Sequence, residues 1–233
     1  MSTDYDVEKG DCVHPGKPVT VDRYTAGARV NHWITATSLV LLALSGLALF
    51  HPRLFFLSGL FGGGPLTRII HPWIGVILFF SFFGLFIRFW KANLWKREDG
   101  TWLARIRDVL TGHEERLPEM GKYNAGQKFV FWSMSVLIIV LITTGVIIWD
   151  QYFLALTTIE QKRWALLVHS MAAILAISVW IIHVYAAIWV RGTIRAMTRG
   201  SVTGGWAWRH HRKWLRELVA RSPKGKSGRT PAQ

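Results

Sequence analysis

Cysteine is nearly absent from this 233-residue chain: Cys12 is the only one. That excludes an intrachain disulfide, a C-x-x-C-H attachment site for a c-type haem and the thiolate set of an iron–sulfur cluster. Acids are also scarce, 14 Asp and Glu against 28 Lys and Arg, for a formal net charge of +14. The first 30 residues lack the apolar core of a signal peptide and carry five acids. The first hydrophobic run therefore reads as a retained span. Cys12 and His14 lie in this polar stretch, and two lone groups do not make a metal site.

Formal charge is missing from four long apolar runs, at about 32–50, 69–87, 129–149 and 164–190. Each reaches the roughly 18 residues that a membrane-spanning helix needs. The expected fold is an all-α membrane protein built as a four-transmembrane-helix bundle. Residues 1–29 read as a polar N-terminal segment, 30–191 as the membrane domain and 192–233 as a basic tail. The connector after the first run contains Gly62-Gly63-Gly64-Pro65, which reads as a turn because no Lys-Ser/Thr follows to make a phosphate loop. His71-Pro72 is expected in the first turn of the second span, where proline costs little. In the polar loop 91–128, Trp102, Leu103, Ile106, Val109 and Leu110 recur at helical spacing and predict a short interfacial helix.

The charges follow the topology. The N-terminal segment, the 88–128 loop region and the tail hold 24 of the 28 Lys and Arg, leaving Arg53, Arg68, Lys162 and Arg163 for the other two connectors. The positive-inside rule then places both termini in the cytoplasm. In the tail, Trp206, Trp208, Arg209, Lys213 and Trp214 interleave rings and cations. Directly after a membrane helix this pattern points to anionic lipid or a docking partner, and nucleic acid need not be invoked.

Ionisable groups inside a bilayer are expensive and usually functional. The fourth run holds His169 and His183. Fourteen residues of helix set them about 40° apart around the axis and about 21 Å apart along it. With the topology above, His71 shares the outer depth with His169, and His32 shares the cytoplasmic depth with His183. Two imidazoles per level suit the axial sites of a b-type haem iron, whereas zinc wants three or four ligands. His51, at the outer end of the first span beside Pro52 and Arg53, is an alternative partner for His169. Arg29, Arg88 and Arg191 lie near the inner level as partners for haem propionates or as span-end anchors.

The chain resembles the gamma, or cytochrome b, subunit of membrane-bound respiratory formate dehydrogenases from about Arg23 to Glu217. The segment Gly121-Lys122-Tyr123-Asn124-Ala125-Gly126-Gln127-Lys128 carries most of the likeness. Ile70-His71-Pro72, Thr144 to Trp149, His32-Trp33, Leu44-Ser45-Gly46 and Trp189 to Gly192 add to it. The related cytochromes b of nickel–iron hydrogenases share the four-helix plan but look less similar before the third span.

The resemblance implies a bundle holding two haem b groups, with His71 and His169 on the outer iron and His32 and His183 on the inner one. It implies a quinone pocket formed by Asn124, Gly126, Gln127 and His183, taking menaquinone or ubiquinone, with no residue of this chain catalysing formate oxidation. That reaction would lie in a molybdenum or tungsten catalytic alpha subunit, linked through an iron–sulfur beta subunit, at a bacterial inner membrane. Alternative readings are the equivalent subunit of a hydrogenase or another periplasmic oxidoreductase, and a transporter or scaffold whose histidines bind no haem. Asn124 can equally serve as the N-cap of the third span.

Overall fold

The computed structural model describes residues 10–16 and 18–221. In chain order they form strands β1 (Val13–His14) and β2 (Thr20–Asp22), helix α1 (Ala26–Phe50), a 3-10 helix (Pro52–Phe61) and α2 (Gly64–Phe89). Next come α3 (Arg97–Ala104), α4 (Ile106–Leu110), α5 (Ala125–Ile148), α6 (Asp150–Phe153) and α7 (Ile159–Trp189). The chain continues as α8 (Thr193–Arg199), β3 (Ser201–Thr203), α9 (Gly204–His210) and α10 (Arg212–Arg221). The described residues divide into two compact units, one within 27–90 and 129–189, the other within 10–26, 91–128 and 190–221.

The first of these units is the bundle of α1, α2, α5 and α7, four helices long and apolar enough to cross a membrane. Fewer than a quarter of the residues in each helix's most apolar stretch are buried. Such a surface suits lipid and would be unstable in water. The chain is therefore a multi-pass membrane protein. Each helix begins several residues before its apolar run. α1 starts at Ala26, so His32 lies almost two turns inside the helix.

α2 corrects the placement of Pro72. The helix starts at Gly64 with Pro65 at its N-terminus, so Pro72 is an interior residue. Its ring removes the N–H that would bond to the Arg68 carbonyl, one residue beyond His71. Gly62 and Gly63 take positive φ, 81° and 97°, between the 3-10 helix and α2. A Cβ on Gly64 would come 2.9 Å from the Phe55 ring. These glycines turn the chain between spans, as the sequence suggests.

Leu39 of α1, Leu78 of α2, Met134 and Ile138 of α5 and Ala176 of α7 form the middle layer of the bundle. Leu39 and Leu78 each follow a histidine by seven residues, and Ala176 is midway between His169 and His183. Seven residues rise about 10 Å, so this apolar layer separates two histidine levels. Polar contacts join α1 to α2 beside His32: Ser81 donates to the Asn31 side-chain oxygen at 2.9 Å and lies 2.5 Å from the Thr35 hydroxyl. Hydroxyls between helices are common ties in membranes.

In the second unit the polar segments are packed rather than loose. β1, β2 and β3 form an antiparallel sheet, with Val13 opposite Val21 and Val21 opposite Val202. Val21 and Val202 join Ala196, Trp206, Ala207, Trp214 and Leu218 in one core. The ring-and-cation pattern of the tail is thus partly interior. Trp206 and Trp214 are buried, Lys213 pairs with Glu98, and Arg212 lies over the Trp208 ring at 4.8 Å. The helix predicted in the loop 91–128 is two short helices, α3 and α4. Trp102 packs with Met120 and Ala125 rather than standing open.

Arg23, 2% exposed, lies within 5.0–5.7 Å of the ring centres of Tyr24, Tyr123, Trp206 and Trp214. It donates to the Lys122 carbonyl. Lys122 pairs with Asp11 at 2.8 Å, both almost fully buried, and the Trp214 indole donates to the same carboxylate at 3.1 Å. Breaking one side of such a buried pair costs about 3–5 kcal/mol.

His211 is buried against this cluster. Its Nδ1–H donates to the Gly121 carbonyl at 2.7 Å, and its Nε2 faces the Arg23 guanidinium at 3.4 Å. Burial, and then the Arg23 charge, hold its pKa well below the ordinary 6.5. The folded state therefore binds the proton less tightly than the unfolded state. Stability is level above about 6.5 and falls as pH drops below it. Tryptophan fluorescence during thermal unfolding at stepped pH should show this decline, and His211→Gln should flatten it. An unchanged acid limb in the variant would contradict the assignment.

Candidate functional site

The bundle brings the four spanning histidines together in two pairs. The His71 and His169 ring centres are 6.4 Å apart, with the planes at 66°. Those of His32 and His183 are 6.3 Å apart, at 54°. A metal–imidazole bond of about 2 Å plus about 1 Å from nitrogen to ring centre, doubled, gives roughly 6 Å. Each pair is therefore spaced for one metal atom between two rings.

The His71–His169 level is set up by hydroxyls. Ser45 donates to the Leu41 carbonyl at 2.7 Å, so its oxygen accepts from the His71 Nδ1–H, also at 2.7 Å. Thr144 donates to the Val140 carbonyl at 2.7 Å and accepts from the His169 Nδ1–H at 2.9 Å. Both rings are thereby fixed with the proton on Nδ1 and the lone pair on Nε2, the tautomer that a metal takes. Neither hydroxyl was singled out as functional from sequence. The signal was there: Ser45-Gly46 and Thr144-Gly145 repeat one hydroxyl–glycine pair within apolar helices.

The glycines of those pairs give the rings room. A Cβ on Gly46 would lie 3.3 Å from His71 Cε1, and one on Gly145 would lie 3.6 Å from His169 Cε1. The His32–His183 level differs, because the buried His32 Nδ1 has no hydrogen-bond partner among the described residues. His51 is elsewhere: it caps the 3-10 helix by accepting from the Arg53 N–H at 3.2 Å. The partner that the bundle gives His169 is His71.

The bundle thus offers two donor pairs, with fixed tautomers at one level and glycine space beside the rings. This donor set fits the axial sites of haem iron. A model of the prokaryotic cytochrome b561 family matches residues 23–200. The chain belongs to that family.

Haem b is accordingly the cofactor of this cytochrome b561 family member. The chain is 45% identical over 199 residues to the cytochrome b556(fdo) subunit of formate dehydrogenase from Escherichia coli strain K12, covering 85% of this chain and 93% of that protein. It is 41% identical to the nitrate-inducible cytochrome b556(Fdn) subunit of the same organism, covering 85% and 92%. A formate dehydrogenase cytochrome b556 subunit of Haemophilus influenzae is 36% identical, covering 84% and 83%. These names agree with the resemblance carried by the Gly121–Lys128 segment.

In the cytochrome, that segment is a structural knot. Asn124 and Gln127 form a reciprocal cap on α5: the Gln127 N–H donates to Asn124 Oδ1 at 2.9 Å, and the Asn124 N–H to Gln127 Oε1 at 3.0 Å. Gly126 lies under Trp102, 3.3 Å from where its Cβ would be. Lys128 pairs with the buried Asp99 at 2.7 Å. The cap uses both amide oxygens, which turns the two NH2 groups into the remaining polar function of these side chains. Asn124, Gly126 and Gln127 belong to the polar unit and His183 to the bundle.

Ser45→Ala would leave the His71 Nδ1–H without its acceptor, a cost of about 1–3 kcal/mol. In detergent the thermal midpoint should fall. Ser178→Ala, which removes only an exposed bond to the Ile174 carbonyl, should barely move it. Equal shifts would show that Ser45 has no particular hold on the ring.

Proposed function

We propose that the chain is the membrane anchor and dihaem cytochrome b subunit of a formate dehydrogenase, carrying electrons across the bilayer to reduce a quinone. The observation that carries this reading is the sorting of four imidazoles into two facing pairs, 6.4 Å and 6.3 Å between ring centres. On it, His71 and His169 hold one haem b iron near the outer face. His32 and His183 hold the second near the cytoplasmic face. Haem iron between two imidazoles supplies one-electron transfer rather than oxygen binding.

The charge distribution supports cytoplasmic termini in a bacterial inner membrane. An iron–sulfur beta subunit would then deliver electrons at the outer level, from a molybdenum or tungsten alpha subunit that oxidises formate. The names of the three relatives support that partnership. The chain itself has one cysteine and offers no cluster ligands. The same anchor could serve a hydrogenase, but the cytochrome b556 relatives favour formate dehydrogenase.

For the quinone, menaquinone or ubiquinone, the residues are Asn124, Gly126 and Gln127, with His183 on the inner iron. Their cap leaves amide N–H groups as donors, which is what a quinone carbonyl oxygen accepts. Gly126 packs against the Trp102 ring beside Asn124. Arg29, Arg88 and Arg191 remain partners for haem propionates.

His71→Ala should remove half of the haem b measured by pyridine haemochrome, whereas His51→Ala should remove none; the reverse result would move the outer ligand to His51. Asn124→Ala should slow menaquinol formation by the complex about 10-fold or more, the loss of a hydrogen bond worth roughly 1–2 kcal/mol, with haem spectra unchanged. A wild-type rate would remove Asn124 from the quinone site.

A further inference from the structure

Alternate side chains of a strand point to opposite faces. In the β1–β2 hairpin Val13 and Val21 pack on the core of the polar unit. Cys12, His14 and Asp22 therefore share the other face. The Asp22 N–H donates to the Cys12 carbonyl at 2.9 Å, which sets Asp22 across from Cys12. Adjacent Asp11 turns the other way, its carboxylate held by Lys122 and Trp214.

Cys12 Sγ, His14 Nε2 and Asp22 Oδ2 consequently converge within 4.8 Å of one another. His14 Nε2 lies 2.6 Å from Asp22 Oδ2, and Cys12 Sγ lies 3.2 Å from that oxygen and 3.3 Å from the imidazole nitrogen. The sequence offered only Cys12 and His14, ten and eight residues from the third group. The hairpin supplies Asp22. All three precede the residues matched by the family model, 23–200.

We propose that Cys12, His14 and Asp22 bind a zinc ion, with solvent in the fourth position. A thiolate, an imidazole and a carboxylate make a mixed donor set that suits zinc, whereas magnesium and calcium take oxygen ligands. Cys12 and His14 are exposed and Asp22 is half-buried, which leaves the tetrahedral fourth position open to water. On binding, the Cys12 thiol releases its proton to solvent, the imidazole coordinates as the neutral ring and the carboxylate as the anion; no electron moves. The ion clamps β1 to β2. Because β2 also pairs with β3, it stiffens the sheet that joins the N-terminal and C-terminal segments of the polar unit.

Cys12 is the only cysteine, so maleimide labelling of the purified full-length chain, read by mass, reports on this site alone. After chelator treatment, zinc at about ten times its midpoint concentration should slow labelling about 10-fold, as the metal-free fraction falls. Magnesium should have no effect. His14→Ala and Asp22→Asn should each abolish the protection, and the zinc absorption edge should show one sulfur at about 2.3 Å. Unprotected labelling in wild type, protection kept by His14→Ala, or a zinc shell of nitrogen and oxygen alone would each overturn the proposal. None of these outcomes depends on haem or quinone.

Discussion

The bundle depends on facing imidazoles in an apolar interior. An imidazole there costs free energy unless both nitrogens are engaged. At the His71–His169 level one nitrogen of each ring is satisfied within the protein: Ser45 and Thr144 accept the Nδ1 protons because their own protons are committed to carbonyls one turn back. That leaves two lone pairs facing each other, which only a Lewis acid or a proton can use. On the proposed reading, haem iron answers the first case. The four helices, the glycines beside the rings and the apolar layer between levels all serve this arrangement.

The two levels are not equivalent. Fixed hydroxyl partners lock the orientation of His71 and His169. The His32 Nδ1 has no such partner among the described residues. An asymmetry in the hydrogen bonding of axial ligands is one of the protein's levers on iron potential. If each pair holds a haem, as proposed, two levels held differently are suited to different places in a sequence of electron flow.

Much of this is legible in the chain because helix geometry is strict. The spacing of His169 and His183 gives depth and face at once, and the uncharged runs give the spans. What was illegible lies where contacts are long-range. Pro72 looked like a first-turn residue because the start of α2 at Gly64 precedes the apolar run, and Gly-Pro-rich sequence reads as turn. The basic tail looked like an open surface, yet Trp206 and Trp214 close over Arg23, a residue 183 and 191 positions away, as the numbering shows. Three-residue strands such as β2 carry too little periodicity to announce a sheet. The roles of Ser45 and Thr144 depend on which helix each faces, which one helix cannot reveal.

The segment that most identifies the family is also the one most tied down. Lys122, Asn124, Gln127 and Lys128 each have an internal partner, so a function for Asn124 and Gln127 must use the amide protons that the helix cap leaves over. The central claim, however, is the pairing of imidazoles around iron at two levels. Haem b and protein should be quantified on the intact wild-type chain, with the spin state of the ferric iron read by electron paramagnetic resonance. Two low-spin haem b per chain are predicted; one haem per chain, or high-spin iron with an open axial position, would contradict the account.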